Sequence, residues 1–369
     1  MKKTAYGQPL FLDIAGMWPY EGQKDPFSFI KKQSATTNVY SIVFAITSRT
    51  MKLKIFGVLI LLAFLSACGD DENPVNNPTI PDDEVSLSIF FVNDPHGRID
   101  NFSKIKHIVD EAKRSGNALL VVAGDIFAGN PIVDQASEPG APMIDILNRT
   151  GFDVGVLGNH EFDFGTDVLQ DRVQQSDFPW ILANIDASQS VLAQPDPFVT
   201  LSVGGFDVTF LGLVETGGKD NQIPSTHPLR VADLSFQRYQ NVIASYANLK
   251  TNEQADLYVA LTHLGSQADR DLANSAPFLD LIIGGHSHDV NSEVVNGIPM
   301  VQAGSNLRQL GRIDLVISNQ QIVSHSVTMI DLNGVSDRDE DLATVISNYN
   351  ADDSFATVVG QSDANHQSL

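Results

Sequence analysis

The sequence predicts an α/β fold with buried sheets. Short apolar runs of strand length recur from residue 87 onward, and amphipathic helical patterns lie between several of them. Strands that alternate with helices along a chain are typical of this fold class. The apolar runs that we assign to strands are 87–92, 118–123, 154–157, 181–183, 208–213, 257–261 and 281–283.

Two helical patterns stand out in the first half of the chain. The clearer one has Asp100 or Asn101 as its N-cap, carries its apolar residues on one face and ends at Gly116. The second has Pro142 in its first turn and stops at Gly151. Both patterns predict helices that bury one face against the sheet.

The later part of the chain is predicted to contain fewer helices. One helix is expected over 236–246 and another over 342–349, where the preceding acids suit a helix N-terminus because they complement the macrodipole. The apolar runs 300–303, 312–317 and 322–330 have few helical residues between them. We expect these runs to form antiparallel strands that complete a second sheet.

The segment 51–68 has the pattern of an export signal. Lys52 and Lys54 precede the apolar run 55–65, and Leu65-Ser66-Ala67-Cys68 follows. The last four residues resemble the lipobox of bacterial lipoproteins, whose cysteine is lipidated and becomes the mature N-terminus. The alternatives are a plain secretory signal or a membrane helix, and the apolar run is shorter than the roughly 20 residues that usually span a bilayer.

The chain is predicted to divide into five parts. Residues 69–84 are rich in Asp, Asn and Pro and nearly free of large apolar side chains, so they cannot support a core. Residues 1–50 would place the export signal inside the chain, so we expect Met51 to be the true start. The parts are a doubtful leader (1–50), a lipoprotein signal peptide (51–68), a flexible tether (69–84), one large domain (85–333) and a connector helix with a truncated tail (334–369). We therefore expect an exported lipoprotein of the bacterial cell envelope, on the periplasmic or surface face of a membrane.

The composition excludes some partners and some chemistry. The 369 residues carry a net charge of −22 without clustered Lys and Arg, so a surface for a nucleic-acid duplex is not expected. A small phosphate ester could still bind where metal cations reverse the sign of the local field. Cys68 is the only cysteine, which excludes a disulfide within the chain and a zinc site built on paired thiolates.

Polar side chains with metal-binding atoms follow the predicted strands. In an α/β sheet, the loops at the carboxyl ends of the strands surround the ligand cleft. Asp94 and His96 follow the run 87–92, and Pro95 favours an extended Asp94, from which side chains two residues apart project to the same side. The full set of candidate ligands is Asp94, His96, Asp125, Asn159, His263, His286 and His288.

This set of side chains is sufficient for two divalent metal ions. Mixed oxygen and imidazole ligands suit Mn, Zn or Fe better than Mg or Ca, which prefer oxygen alone. The positive charge of two divalent ions exceeds the negative charge of the Asp94 and Asp125 carboxylates, and Asn159 is a neutral ligand. The centre would thus remain positive toward hydroxide and a phosphate ester, which favours a metal-dependent phosphoester hydrolase.

The motifs around these residues resemble a known superfamily. The motifs DPH, GD, GNHEFD, TH and GGHSH, and their order, resemble those of the calcineurin-like metallophosphoesterases over roughly residues 87–330. The stretches NDPHG, GNHEFDFG, ANI and THLG resemble those of the bacterial 5′-nucleotidases within that superfamily. The resemblance implies a four-layer αββα sandwich of two facing mixed sheets flanked by helices. It implies one metal held by Asp94, His96, Asp125 and His288. It implies a second metal held by Asp125, Asn159, His263 and His286, with Asp125 as the bridge.

The resemblance also assigns a catalytic pair. His160 and Asp163 match the superfamily's His-Asp pair, in which the histidine stabilises the transition state or protonates the leaving group and the aspartate orients it. Two ions ~3.5 to 4 Å apart lower the pKa of a shared water and polarise the phosphoryl oxygens for in-line attack. We therefore expect hydrolysis of nucleotide phosphate esters, of 5′-nucleotidase or cyclic-nucleotide phosphodiesterase type.

The sequence departs from the bacterial 5′-nucleotidases at its C-terminal end. Most of them carry a second domain that grips the nucleoside, and this sequence stops where we expect that domain to begin. Three alternatives stay open: a free-standing phosphoesterase, a catalytic half that needs a separate protein with the C-terminal domain, and a non-catalytic surface protein that only binds metal. The intact pair of His160 and Asp163 counts against the last, because a metal store needs no leaving-group acid.

Overall fold

A computed structural model describes residues 84–217 and 222–351. The chain divides into two units, 1–73 and 74–369, and the described residues all belong to the second. The predictions for the leader, the export signal with Cys68 and nearly all of the tether therefore lie outside the described residues. Within the part that the structure describes, no helix is long and apolar enough to cross a membrane.

The strands of the described residues form two large sheets and one small pair. The strands are β1 (Glu84–Val92), β2 (Ala118–Val122), β3 (Val154–Val156), β4 (Trp180–Ile181), β5 (Ile185–Asp186), β6 (Phe198–Val203), β7 (Phe206–Val214), β8 (Ser235–Phe236), β9 (Leu257–His263), β10 (Leu281–Ile283), β11 (Val290–Val295), β12 (Ile298–Ala303), β13 (Gln309–Ser318) and β14 (Gln321–Asp331). The first sheet has the order β14-β13-β1-β2-β3-β4, the second has the order β11-β12-β10-β9-β7-β6, and β5 pairs with β8.

Both large sheets are mixed. In the first, β1 to β4 run parallel, and β13 joins the free side of β1 in antiparallel direction, followed by β14. In the second, β7, β9, β10 and β12 run parallel, while β6 and β11 form antiparallel edges. Neighbouring parallel strands end at the same edge of a sheet, so the loops that follow them meet there.

Helices cover the outer faces of the sheets. They are α1 (Phe102–Ser115), α2 (Pro131–Asp134), α3 (Ala141–Thr150), α4 (Thr166–Gln175), α5 (Tyr239–Val242), α6 (Leu249–Asn252), α7 (Ser266–Ser275) and α8 (Glu340–Asn350). α1, α3 and α8 pack against one another, with α1 on β2, and α7 contacts β11 and β12. β3 and β4 of the first sheet contact β7 of the second, so the two sheets face each other. The predicted four-layer α/β fold is confirmed.

The side chains of β9 pack into hydrophobic clusters on both faces of its sheet. Val259 and Leu261 belong to the core shared with the first sheet, whereas Tyr258 and Ala260 pack in a second cluster with Leu272 of α7. Successive side chains of a strand point to opposite faces, so a strand that is covered on both sides reads as an unbroken apolar run. Burial of each large apolar side chain contributes roughly 1.5–3 kcal/mol.

Three predicted helices are confirmed. α1 follows Asn101 and ends before Gly116, and α3 is closed by Gly151, whose φ of 86° is the left-handed conformation common at helix ends. Asn101 does not cap α1 with its side chain: its backbone has φ −96° and ψ −2° rather than the extended conformation of a typical N-cap, and its amide donates to the backbone carbonyl of Leu307 at 2.9 Å. α8 is the predicted C-terminal helix, and the side chain of Asp339 caps its first turn.

Predictions for the later part of the chain are wrong in two respects. The region 236–246 is not one helix, because Phe236 lies in β8, α5 is a single turn and a 3-10 turn follows at Ile243–Tyr246. β12 lies in the second sheet as expected, but it pairs parallel with β10 as well as antiparallel with β11. β13 and β14 are antiparallel as expected, but they extend the first sheet. Apolar periodicity indicates which residues are buried, but it does not specify the partner of a strand.

Candidate metal centre and catalytic pair

The predicted ligands meet at the carboxyl ends of strands from both sheets. The first sheet contributes Asp94, His96, Asp125 and Asn159, which follow β1, β2 and β3. The second sheet contributes His263, which ends β9, and His286 and His288, which follow β10. The centre therefore lies at the junction between the two sheets.

Asp94, His96 and His288 form the first group of ligands. Asp94 Oδ1 lies 3.2 Å from His288 Nε2 and 3.7 Å from His96 Nε2, and the two imidazole Nε2 atoms are 2.9 Å apart. The Asp94 side chain is fully buried, whereas 46% of the His288 side chain is exposed. One donor atom from each residue lies within 4.8 Å of the others, which is close enough for all three to hold one cation.

Asp125, His263 and His286 form the second group. His263 Nε2 lies 2.9 Å from Asp125 Oδ2, and both side chains are buried. Asn159 joins this group, since its Oδ1 is 3.0 Å from Nδ1 of His286. Nδ1 of His263 donates to the carbonyl of Ala123 at 2.7 Å, which leaves Nε2 as the nitrogen that can bind a metal.

Asp125 lies between the two groups. A donor oxygen of its carboxylate is also within 4.8 Å of ring nitrogens of His96 and His160. Oδ1 accepts the backbone N–H of His160 at 2.9 Å, while Oδ2 lies on the side of His263. A carboxylate has two oxygens and can contact two cations, so this location suits a bridging ligand.

Most of the candidate ligands have an unusual backbone conformation. Five of them have positive φ: Asp94 (51°), His96 (47°), Asp125 (55°), His286 (79°) and His288 (60°). This left-handed conformation costs roughly 1–2 kcal/mol per non-glycine residue, and such strain persists where the surrounding structure imposes it, often at functional sites. The prediction of an extended Asp94 is therefore wrong. Backbone hydrogen bonds from Asp94 and His96 to the loop after β2 impose the turn and override the preference set by Pro95.

Two atoms at the centre that could bind a metal have no hydrogen-bond partner in the described part of the chain. These atoms are Asp94 Oδ1 and His263 Nε2, which are buried and lie 3.9 Å apart. His263 Nε2 lies at ion-pair distance from the Asp125 carboxylate, 2.9 Å from Oδ2, but without the geometry of a hydrogen bond. Buried polar atoms are normally paired, since an unpaired one costs about 1–3 kcal/mol. A divalent cation would satisfy both atoms, so the residues present fit the metal ions that the resemblance implies.

Burial and neighbouring charges set the ionisation of the metal-free centre. Burial opposes the charge on His263, yet the adjacent Asp125 carboxylate raises the pKa of His263 to about 10. Burial also opposes the charge on Asp125, but His263 holds the pKa of Asp125 well below its usual range. Burial lowers the pKa of His96 and His286. Because a ligating imidazole is neutral, metal uptake by His263 would release a proton.

His160 and Asp163 form the predicted pair. Nδ1 of His160 donates to Asp163 Oδ2 at 2.5 Å, and this hydrogen bond raises the pKa of His160 to about 9 against the effect of burial. The His160 ring packs edge to face on the ring of His96, with 5.1 Å between centroids. The pair thus lies beside the ligands, and Nε2 is the His160 nitrogen left for chemistry.

Glu161 supports the centre, and sequence reasoning missed this role. It is buried and accepts the backbone N–H groups of Asp125 at 2.9 Å, Ile126 at 2.7 Å and Gly158. Burial and the neighbouring Asp125 raise the pKa of Glu161 to about 7, whereas three N–H donors favour its ionised form. Glu161 therefore ties the loop after β2 to the loop that carries Asn159. The position of Glu161 inside the motif GNHEFDFG indicates a role at the site, but only its burial shows that it supports the loops and does not face the substrate side.

A second buried network supports the loop 286–288. Ser287 donates to Gln302 Oε1 at 2.9 Å, and Gln302 Nε2 donates to Asp269 Oδ2 at 3.2 Å. Asp269 also accepts the hydroxyl of Thr262 at 2.6 Å. Burial raises the pKa of Asp269 to about 7. The network joins the end of β9 to α7, β12 and the histidine loop.

Two glycines allow the ligand loops to approach one another. A Cβ on Gly285 would press against the carbonyl oxygen of Ala123 and come within 2.9 Å of His263 Nδ1. A Cβ on Gly158 would press against the Asp125 carboxylate. Neither position has room for a side chain without moving a ligand.

The other described histidines take no part in these groups. His107 on α1 lies 3.7 Å from Glu111, and His227 accepts the N–H of Leu229. His325 is exposed on β14. These positions agree with the ordinary surface roles that lone histidines usually have.

Two facing mixed sheets with Asp, His and Asn side chains at their junction have the architecture of the metallophosphoesterases. A family model described as calcineurin-like phosphoesterase matches residues 87–290. The chain therefore belongs to the calcineurin-like phosphoesterase family, and the predicted resemblance is confirmed.

Comparison with individual proteins agrees with this assignment. The chain is 29% identical over 269 residues to a 2′,3′-cyclic-nucleotide 2′-phosphodiesterase/3′-nucleotidase of Haemophilus influenzae, covering 60% of this chain and 39% of that protein. It is 26% identical over 299 residues to a 5′-nucleotidase of Vibrio cholerae, covering 68% and 52%. The crystal structure of a 5′-nucleotidase precursor from Thermus thermophilus has the same fold, with a TM-score of 0.66 at 20% identity, covering 74% of this chain and 59% of that chain. The chain thus spans about half or less of these two curated relatives.

Proposed function

We propose that this chain is a two-metal phosphohydrolase that cleaves phosphate esters of nucleotides, as a 5′-nucleotidase or a cyclic-nucleotide phosphodiesterase. The observation that carries the proposal is that the predicted ligands converge around two buried atoms without a hydrogen-bond partner, Asp94 Oδ1 and His263 Nε2. Relatives named as a 5′-nucleotidase and a cyclic-nucleotide phosphodiesterase support the substrate class.

The proposed ligand sets follow the two groups. Asp94, His96, Asp125 and His288 would hold one cation, and Asp125, Asn159, His263 and His286 would hold the other. When bound, two such cations supply the Lewis acidity that activates water and polarises a phosphoryl group. The ligands include only two carboxylates, Asp94 and Asp125, so the loaded centre keeps a positive charge that attracts phosphate to an acidic protein.

His160 is the proposed acid on the leaving-group side. Asp163 holds Nδ1, which fixes the orientation of the ring and leaves Nε2 to donate to the leaving oxygen. A positioned acid of this kind typically contributes 10²–10⁴-fold to the rate. The pair also distinguishes the proposal from metal storage, which requires no acid.

The direct test is turnover by the purified chain loaded with Mn²⁺ or Zn²⁺. The substrates are AMP, a 2′,3′-cyclic nucleotide and bis-p-nitrophenyl phosphate. Asp125→Ala should abolish metal-dependent hydrolysis, while Asp110→Ala, which removes only a surface ion pair with Lys106, should retain it. Hydrolysis that survives Asp125→Ala contradicts the assigned centre.

The same assay separates the alternatives. Tight metal binding without turnover of any substrate would favour a non-catalytic metal-binding protein. Turnover that begins only after addition of a separate protein with a nucleotidase C-terminal domain would favour a catalytic half.

We further propose that the chain is an exported lipoprotein of the cell envelope, anchored through Cys68. The support is the signal pattern of 51–68, which lies outside the described residues. Full-length protein expressed in a bacterium should incorporate a palmitate label and sediment with membranes, and Cys68→Ala should lose both properties. An unlabelled wild-type protein would contradict lipidation, and a peptide recovered from 1–50 of the native protein would contradict a start at Met51.

A further inference from the structure

The segment Pro224–Thr226 contacts both the metal centre and the catalytic pair. The carbonyl of Ser225 accepts Nδ2 of Asn159 at 3.2 Å, and the hydroxyl of Thr226 donates to Asp163 Oδ1 at 2.8 Å. Neither residue belongs to the sets of ligating or catalytic side chains described above. The segment is therefore placed to orient both sets.

Thr226 completes the hydrogen bonds that orient Asp163. One carboxylate oxygen of Asp163 accepts Nδ1 of His160, and the other accepts the Thr226 hydroxyl. The Asp163 side chain is 29% exposed, so packing alone does not fix the plane of its carboxylate. With both oxygens bound, that plane is set, and so is the direction in which Nε2 of His160 points.

Glu215 holds this segment in place. Its buried carboxylate accepts the backbone N–H groups of Gly217 and Ser225, and its own N–H donates to the carbonyl of His263 at 2.9 Å. The segment is thus tied to the end of β7, beside the metal ligand that ends β9. This attachment gives Thr226 a fixed position relative to the centre.

We propose that Thr226 is a positioning residue that acts through Asp163 on the proton transfer from His160 to the leaving group. The inference rests on the proposed function. In that step, water forms the new P–O bond and the bond to the leaving oxygen breaks with its electron pair on that oxygen. Nε2 of His160 supplies the proton that makes the alcohol, and the proton released by the attacking water restores His160.

The test compares two leaving groups in the metal-loaded full chain. A ribose alkoxide must be protonated as it leaves, whereas p-nitrophenolate is a stabilised anion and leaves without a proton. For Thr226→Val, kcat on a nucleotide that the wild type hydrolyses should fall about 10- to 100-fold, which is part of the 10²–10⁴-fold that a positioned acid typically contributes. On p-nitrophenyl phosphate, kcat should fall less than about threefold, because acid catalysis contributes little there.

Matched variants separate positioning from a loss of structure. Thr226→Ser keeps the hydroxyl and should restore nucleotide turnover. Thr166→Val removes another Thr-to-Asp hydrogen bond, from Thr166 to Asp233 at 3.0 Å, without touching Asp163, and should leave the ratio between the two substrates unchanged. Should Thr226→Val fold poorly, Thr226→Ala provides a second variant, because it removes the same hydroxyl and leaves the backbone contact of Ser225 with Asn159 in place. It should lower nucleotide turnover more than nitrophenyl ester turnover.

The outcomes for the inference and for the proposed function are distinct. Equal losses on both substrates, or no loss on either, would overturn the role of Thr226 while leaving the enzyme assignment standing. A wild type that hydrolyses only the nitrophenyl ester would also overturn it, because no leaving-group proton would be supplied. A wild type with no metal-dependent turnover would overturn the proposed function itself.

Discussion

Glu161→Gln tests whether one buried carboxylate holds the metal centre together. Oε2 of Glu161 accepts the N–H groups of Asp125 and Gly158, and Oε1 accepts that of Ile126. A glutamine of the same shape has one oxygen, so its NH₂ group would face an N–H and leave that donor unpaired. A buried unpaired donor costs about 1–3 kcal/mol, and each hydrogen bond to a charged group contributes about 1.5–3 kcal/mol. We therefore expect the free energy of unfolding to fall by about 2–4 kcal/mol.

The assay for this variant has two parts. Urea unfolding at pH 8 with EDTA measures the loss of stability without metal, and a titration with Mn²⁺ or Zn²⁺ measures affinity, which should fall about 10- to 100-fold because Asp125 is no longer held. Glu340→Gln is the control, since that side chain is 75% exposed and its loss should change stability by less than about 0.5 kcal/mol. A variant as stable as the wild type, with unchanged metal affinity, would refute the role of Glu161.

Three further predictions follow from the site. Gly285→Ala should lose metal-dependent turnover because its Cβ presses on Ala123 and His263, while Gly116→Ala, which has open space, should be active; equal activities would contradict the packing argument. In EDTA, the folded pKa of Asp269 near 7 exceeds the unfolded value of roughly 3.9, so the contribution of Asp269 to wild-type stability should fall with rising pH across this window by up to roughly 1.4 kcal/mol per unit. Asp269→Asn should remove only this contribution, because Glu161, whose pKa is also raised to about 7, acts in the same window. Urea unfolding at pH 5 and pH 8 should therefore show the stability of Asp269→Asn relative to wild type increasing with pH; a constant difference would contradict the assignment. Mn²⁺ or Zn²⁺ at 100 times its Kd should increase the free energy of unfolding by about 2.7 kcal/mol and so raise the melting temperature. Asp94→Ala should reduce this rise in melting temperature, measured by calorimetry.

The sequence was informative about which residues gather at the site. Strand-length apolar runs followed by Asp94, Asp125, Asn159 and the histidines predicted a cleft at the carboxyl ends of strands, and the structure brings these side chains together there. Helices with a clear apolar face and a closing glycine, such as α1 and α3, were also predictable. In both cases the signal is local, because the spacing of residues along the chain determines it.

Other features depend on contacts between distant segments. Asp94 takes a left-handed turn against the preference imposed by Pro95, because backbone hydrogen bonds from another loop outweigh it. The supporting roles of Glu161 and Thr226 need partners that no periodicity encodes. The attachment of β13 to β1 is likewise a choice between sheets whose strands have similar apolar patterns.

The left-handed turns at the centre have a consequence for which residues can occupy it. Aspartate and histidine are among the few amino acids other than glycine that enter this region of backbone space readily. The need for metal-binding side chains and the left-handed backbone therefore favour the same two amino acids at these five positions, Asp94, His96, Asp125, His286 and His288. Exchanging Asp94 or Asp125 for glutamate would keep a carboxylate but would place a longer side chain on a backbone conformation that disfavours it. Few substitutions at these positions would therefore suit both the ligand chemistry and the backbone.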